Sequence, residues 1–353
     1  MKNEPDRSVT QGARRVAVIG AGAWGTTLAL HASRQGLAVS LWARRPELAS
    51  RLAETRENAD FLPGQKLPPS MVITSDPAEA VGGADYVIWV VPSHAFRAAA
   101  RLILPKAKPG AVHLSASKGI EDETFSTMTA ILSEESGGAV AGGTLSGPSF
   151  AKEVASGLPT AVTVAFECQE TARRVQTLLS APVFRLYTSA DVRGVELGGA
   201  LKNVYAIAAG ISDGLNLGLN ARAALITRGI NEMSRLAGVM GAHPLTLSGL
   251  SGVGDLILTA TGDLSRNRKV GFRLGSGETL PDILSGSHEV AEGVRNAKSV
   301  WGLAQSKGVS LPTAREVYRV LYEGKSPRQG LVDLLTRRLK EEHPAELLSR
   351  VQP

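Results

Sequence analysis

Short apolar runs punctuated by glycine or proline dominate the first half of the chain. Arg15-Val16-Ala17-Val18-Ile19-Gly20 ends on a glycine, a helical pattern follows from Thr26 to Gln35, and Ala38-Val39-Ser40-Leu41-Trp42 reads as a second strand. Strand, glycine turn, helix and strand within about thirty residues make a βαβ unit, which implies a parallel pair and a right-handed crossover. Further runs of buried-strand length lie at 85–91, 111–116, 160–165 and 183–187. From Asp191 onward the pattern predicts no strand, and the 3.6-residue period takes over. Leu197, Leu201, Val204, Ala208, Ile211 and Leu215 are expected on one helix face. The reading is a polar leader over 1–13, an α/β domain with a mostly parallel sheet over 14–190, and an all-helical domain over 191–353.

Composition narrows the partners. With 43% hydrophobic and 20% charged residues the chain is a folding, not a disordered, sequence, and 5% aromatic residues against 38 glycines suit tight α/β turns better than a base-stacking platform. The net charge of +6, from 39 Lys+Arg against 33 Asp+Glu, suits an acidic small molecule. Charges of both signs are interspersed, as at 337–342, so no basic stripe argues for nucleic acid. One cysteine, Cys168, excludes a disulfide framework and a cysteine-cluster metal site, and fits a reducing compartment. Residues 1–7 lack the apolar core of a secretory signal, and runs such as 86–91 are too short to span a bilayer. A cytoplasmic protein with no membrane span is expected.

The first chemical motif is Gly20-Ala21-Gly22-Ala23-Trp24-Gly25, a G-x-G-x-x-G directly between strand and helix. The first glycine makes the turn, the second admits a pyrophosphate to the backbone, and the third lets helix meet strand. The helix start offers N–H groups to the anion. The α/β domain is therefore expected to be Rossmann-type. NAD sites carry an acid about 20 residues on, for the ribose 2′-OH. Here Leu41-Trp42-Ala43 runs into Arg44 and Arg45, with no acid before Glu47. Guanidinium groups there suit a 2′-phosphate, so NADP(H) is favoured and NAD(H) is the other option.

Ligands in open α/β sheets lie beyond the carboxyl ends of the strands. Those ends read Pro92-Ser93-His94, Ser117-Lys118-Gly119 and Gly147-Pro148-Ser149-Phe150-Ala151-Lys152. Lys118 is aimed at the crevice by its apolar strand. In the helical half, Lys202 stands among small residues beside the apolar face, where desolvation lowers an amine's pKa toward neutrality and makes it a proton donor or acceptor. Asp255 rides on the glycine-rich stretch 249–254, and Ser265-Arg266-Asn267 offers a hydroxyl, N–H groups and a guanidinium to a phosphate before a short helix at 270–274. The histidines show no ligand spacing and no metal is called for; His31, His94 and His113 are expected to be structural.

These residues together resemble the bacterial-type NAD(P)-dependent glycerol-3-phosphate dehydrogenases, from the glycine turn to about residue 330. Phe61-Leu62-Pro63-Gly64-Gln65-Lys66-Leu67-Pro68, Leu201-Lys202-Asn203, Gly254-Asp255-Leu256 and Val290-Ala291-Glu292-Gly293 fall in the family's order alongside the segments above. The resemblance implies reversible hydride transfer between NAD(P)H and dihydroxyacetone phosphate, giving sn-glycerol 3-phosphate for phospholipid synthesis. It implies Lys202 as the acid/base, with Lys118 and Asp255 beside it. It assigns the substrate to Lys118, Gly147, Ser149, Lys202, Asp255, Ser265, Arg266 and Asn267. The cofactor goes to the glycine turn (Gly20, Gly22 and Gly25), Ala23, Trp24, Arg44, Arg45, Lys118, Ala151, Arg266, Val290 and Glu292. It also implies a homodimer. One departure is Ala260, where many relatives carry cysteine; a thiol there is not needed for the mechanism. Two alternatives remain at this point: a related hydroxyacid dehydrogenase, against which the phosphate cluster at 265–267 argues, and a non-catalytic dinucleotide sensor, against which the joint presence of Lys118, Lys202 and Asp255 argues.

Overall fold

The computed structural model describes residues 14–285, 291–339 and 341–342. Among them, eight strands form one sheet: β1 (Arg15–Ile19), β2 (Ala38–Trp42), β3 (Val72–Thr74), β4 (Tyr86–Trp89), β5 (Val112–Ser115), β6 (Gly143–Ser146), β7 (Thr160–Ala165) and β8 (Phe184–Ser189). Helices α1 (Ala23–Arg34), α2 (Pro46–Thr55), α3 (Pro77–Val81), α4 (Ser93–Ile103), α5 (Met128–Glu135), α6 (Ala151–Ala155) and α7 (Gln169–Leu179) alternate with the strands. The rest is helical: α8 (Val192–Gly214), α9 (Gly218–Val239), α10 (Asp255–Thr261), α11 (Arg266–Gly275), α12 (Leu280–Ser285), α13 (Glu292–Ser306), α14 (Pro312–Tyr322) and α15 (Pro327–Leu335).

The strand order is β3-β2-β1-β4-β5-β6-β7-β8. Every neighbouring pair is parallel except β6 with β7, where Leu145 faces Val164 in an antiparallel register. The expected Rossmann-type, mostly parallel sheet is present. From β1 the chain runs outward to β3 and then returns to β4 on the other side of β1. That reversal leaves a crevice beyond the ends of β1 and β4.

The apolar runs are continuous because the strands are covered twice. Val16 and Val18 of β1 join Leu41 and Ile88 in a cluster with Leu28 of α1, while Ala17 and Ile19 join Trp42, Val87 and Trp89 in a second cluster with Phe96 of α4. Alternate residues point to opposite faces, so both sets must be apolar. The short strand β3 escapes pattern reading because it is an edge strand of three residues whose Val72 stays 44% exposed.

Helix α8 departs from the expected single apolar face. Every residue from Gly194 to Gly210 is buried, because α9, α10, α11, α13, α14 and β6 pack around it. Leu215 lies just past its last turn. The α8–α11 approach is close enough that a Cβ on Gly210 would fall 2.1 Å from the Arg268 carbonyl oxygen, and one on Gly271 the same distance from that of Ile207. A helix hydrophobic all round is a core element, not a surface one. Among the described residues no helix is long and apolar enough to cross a membrane.

Candidate active site

The glycine turn occupies the β1–β4 crevice. Gly20 has φ +117°, and a Cβ there would strike the Val90 carbonyl oxygen at 2.5 Å; one on Gly25 would lie 1.8 Å from the Gly20 oxygen. Both positions exclude a side chain by backbone packing. Gly22 differs: a Cβ there meets nothing within 4 Å. Gly22 is also the N-cap of α1 and supplies no side-chain cap, so this helix start faces open space with amide donors. The residues fit a dinucleotide pyrophosphate. Buried Asn58, from the loop after α2, braces the turn by donating to the Ala21 carbonyl at 2.9 Å and to Thr26 Oγ1 at 2.7 Å.

The remaining expected cofactor residues gather along this crevice. Ala23 and Trp24 are half-buried at the start of α1. Ala151 at the start of α6 accepts a hydrogen bond from Thr27 Oγ1 of α1 at 3.2 Å. Arg44 and Arg45 are exposed beyond β2, and Arg45 borders a surface hollow with Glu47, Leu48, Arg51 and Asp60. Glu292, the first residue of α13, accepts from Ser93 Oγ at 3.0 Å. Burial pushes its carboxyl above the usual range, against the opposing pull of the Ser93 hydrogen bond and the positive charges of Arg266 and Arg295. Val290 lies outside the described residues.

Where the two halves meet, Lys118, Lys202 and Asp255 converge. Asp255, 1% exposed, accepts from Lys118 Nζ at 2.6 Å through one oxygen and from Lys202 Nζ at 2.5 Å through the other. Lys202 donates also to Thr259 Oγ1 at 2.7 Å, and Lys118 to the Gly147 carbonyl at 3.3 Å. Helix α8 delivers Lys202 because glycines precede it: a Cβ on Gly199 would fall 2.5 Å from Ser146 Oγ, and one on Gly198 the same distance from the Ser251 carbonyl oxygen. Asp255 opens α10 directly after the π-turn Leu250–Gly254.

The electrostatics follow from burial. Desolvation lowers Lys202 to about 7; the Asp255 charge works against that shift and the Lys118 charge adds to it. For Asp255, burial alone would raise the pKa, but the two ammonium groups together outweigh it and hold the carboxyl below its usual range. The result is an ionised carboxylate fixing an amine poised to exchange a proton near neutral pH.

Of the expected substrate residues, Gly147 and Ser149 adjoin the lysine cluster, while Ser265, Arg266 and Asn267 stand at the start of α11. Gly147 follows β6, and its carbonyl accepts from both Lys118 and Ser149 Oγ, the latter at 3.0 Å. Ser265 is buried and its hydroxyl accepts from the Arg268 N–H at 3.2 Å, so it caps α11. The helix therefore starts four residues earlier than the expected 270–274 stretch. Arg266 is exposed in its first turn. Asn267 is buried, donating to Asn203 Oδ1 at 2.9 Å and accepting from the Gly293 N–H at 2.9 Å, which ties α11 to α8 and α13.

Sequence reading missed Thr259, Asn58 and the Ser93–Glu292 contact. Thr259 had a signal, since it is one helical turn beyond Asp255 on the same face; Asn58 had none. Among the histidines, His31 Nε2 bonds the Leu179 carbonyl at 2.7 Å, and His113 Nδ1 accepts from Trp89 Nε1 at 3.1 Å while burial lowers it to about 4. Both are structural, as expected; His94 is exposed at the start of α4.

Comparison with known proteins gives a consistent result. Residues 15–172 match the family model for the NAD-dependent glycerol-3-phosphate dehydrogenase N-terminus, and residues 191–332 match that for its C-terminus. The chain is 52% identical over 330 residues to a glycerol-3-phosphate dehydrogenase [NAD(P)+] of Geobacter metallireducens, covering 93% of this chain and 98% of the relative. The crystal structure of glycerol-3-phosphate dehydrogenase from Coxiella burnetii superposes with a TM-score of 0.89 at 38% identity, covering 92% of this chain and 99% of that one. That of GPD1 from Saccharomyces cerevisiae superposes with a TM-score of 0.79 at 26% identity, over 92% and 100%.

Proposed function

The chain belongs to the NAD-dependent glycerol-3-phosphate dehydrogenase family, and from that membership we propose a residue-level account of its reaction. It is an oxidoreductase that reduces dihydroxyacetone phosphate to sn-glycerol 3-phosphate with NAD(P)H. Residues 14–190 hold the dinucleotide along the glycine turn, Ala23, Trp24 and Ala151, with Glu292 reaching across from residues 191–353. Val290 belongs to the same set by family likeness. When bound, the dinucleotide supplies the hydride that reaches the substrate's C2 carbon.

Lys202 gives its ammonium proton to the C2 oxygen as negative charge develops there, and takes it back in the oxidative direction. Asp255 holds Lys202 charged and oriented. Lys118, bonded to the other Asp255 oxygen and to Gly147, contacts substrate and cofactor together. Arg266 and the N–H groups at the start of α11 take the substrate phosphate, and that binding energy orients the carbonyl. Ser149 and Gly147 line the opposite side, while Ser265 and Asn267 hold α11 in place. The observation that carries this reading is the shared carboxylate: two lysines from different halves of the molecule meet on Asp255.

Arg44 and Arg45, with no acid between them and β2, support NADPH over NADH as the preferred reductant. The reading extends to a cytoplasmic homodimer that feeds phospholipid synthesis, both taken from family likeness. The test is NADPH oxidation dependent on dihydroxyacetone phosphate, compared with NADH in the same assay. No turnover with either would sink the reaction; faster turnover with NADH would sink only the preference.

A further inference from the structure

Along one stretch of chain the two hydrophobic cores are only a few residues apart. Ala116, just past β5, is buried in the cluster that holds Val16, Leu28 and Leu114, while Ile120, 2% exposed, is buried in the cluster built by α8, α10, α13 and α14. Among the described residues Ile120 is the only buried member of that second cluster from before residue 191, and Phe125 packs at its edge. Lys118 stands midway between the two cores. Its neighbour Gly119 is pinned at the seam: a Cβ there would lie 2.4 Å from Ser93 Cβ of α4 and 3.2 Å from Asn296 Oδ1 of α13.

Beyond Ile120 this strap, residues 116–127, closes on itself and stays against the helical half. Ile120 pairs with Thr127, and the Glu121 N–H donates to the Ser126 carbonyl at 3.0 Å. Asp122 accepts from the buried Ser299 hydroxyl of α13. Phe125 adopts φ +58°, uncommon for a bulky residue, and a Cβ on Gly302 would lie 2.9 Å from its ring. Arg97 of α4 holds Glu121 from the sheet side with hydrogen bonds of 2.8 and 2.6 Å.

Asp255, Lys202 and Thr259 all belong to the helical half, and only Lys118 reaches them from the sheet half. We infer that Ile120, with Phe125 beside it, is a positioning residue: its burial in the helical core fixes the strap and thereby holds the Lys118 ammonium on Asp255. Releasing the strap withdraws Lys118 and leaves the Lys202–Asp255 pair, which α8 and α10 hold by themselves. Lys202 then loses a neighbouring like charge and a competitor for the carboxylate, so its pKa rises from about 7. Asp255 and Lys118 are the charged groups that shift Lys202; Glu232 of α9, Arg268 of α11, Glu292 of α13 and Glu316 of α14 are bonded elsewhere. The inference rests on Lys202 as the proton donor.

The readout is the alkaline limb of kcat/KM for reduction, which follows Lys202 in the free enzyme. Ile120→Ala is expected to move it up by about one pH unit, the size of one close like charge, and Lys118→Ala to do the same. In the Lys118→Ala background, Ile120→Ala is expected to add no further shift, because the charge it displaces is already gone. Two variants are expected to leave the limb in place: Ile120→Val, which keeps most of the buried volume, and Val317→Ala, which opens the same cluster on α14 away from the strap. An unmoved limb in Ile120→Ala, an equal shift in Val317→Ala, or a further shift in the Lys118→Ala background overturns the inference, since each makes Ile120 merely structural. Should Ile120→Ala not fold, an unmoved limb in Phe125→Ala overturns it equally. A flat profile in the unaltered enzyme, or no shift in Lys118→Ala, fells the reading of the lysine cluster and the inference with it. If Lys118→Ala moves the limb while Ile120→Ala does not, only the inference falls.

Discussion

The two ends of the crevice are built on opposite plans. At the glycine turn a contiguous stretch, Gly20–Gly25, makes an anion site from backbone alone, and its specificity lies in which glycines admit a Cβ. At the lysine cluster no two partners are neighbours in the chain: Asp255 meets Lys202 across 53 positions and Lys118 across 137. The first site depends on space and dipoles that survive most changes of solvent. The second depends on charge held out of water, so each member sets the protonation of the others. Damage should therefore stay local at the turn and spread at the cluster.

The largest effect is expected from Lys202→Ala, which removes the proton donor. Its kcat for reduction should fall about 10²- to 10⁴-fold, the range for a lost general acid, while NADPH binding is kept. Steady-state kinetics with fluorescence titration check this, and full turnover would remove the assigned role. Asp255→Asn comes next. It leaves two ammonium groups facing each other without a counter-charge, and should cost about 3 kcal/mol of stability on denaturant unfolding and about 10²-fold in kcat. It should also lower the Lys202 pKa further, moving the pH limb to the acid side, a spread that no single-residue role predicts.

The pH profile of the unaltered enzyme tests the same point. With Lys202 at about 7, reduction needs the charged form and should decline above pH 7, toward about tenfold per unit. Oxidation needs the neutral form and should rise through the same range. A flat profile from pH 6 to 8.5 would break the assignment.

At the turn, Gly22→Ala and Gly25→Ala sharpen the contrast. Gly22→Ala meets no protein atom, so thermal unfolding should be almost unchanged while NADPH binding weakens about tenfold, the new methyl filling ligand space. Gly25→Ala collides with the Gly20 oxygen and should lose both. Equal stability losses would mean that the turn is only structural. The smallest effect is expected from Arg44→Ala with Arg45→Ala, which should reduce the NADPH-over-NADH preference by about tenfold, roughly one charge-assisted contact's worth, with kcat little changed.

Legibility followed the same division. The strands at β1, β2, β4 and β5 were readable because burial on two faces demands continuous apolar runs, and β7 and β8 because six residues rich in β-branched and aromatic side chains still mark a strand. Edge strand β3 was not, since it is three residues long and an exposed edge demands no apolar run. Lys118, Lys202 and Asp255 could each be singled out from local context, yet nothing local said that one carboxylate would serve both lysines. Thr259 follows from helical spacing once Asp255 is chosen. Asn58 follows from nothing local, because it acts on the backbone of a segment far away in the chain.

By itself, the sequence determined the βαβ start, the position of the anion-binding turn and the helical character of the second half, since spacing, turn residues and periodicity act over a few residues. Only the tertiary structure decided that α8 would be buried all round, that β7 would run against β6, and that one carboxylate would hold both Lys118 and Lys202. Desolvation and charge pairing depend on which distant segments close over a group, and no local pattern carries that information.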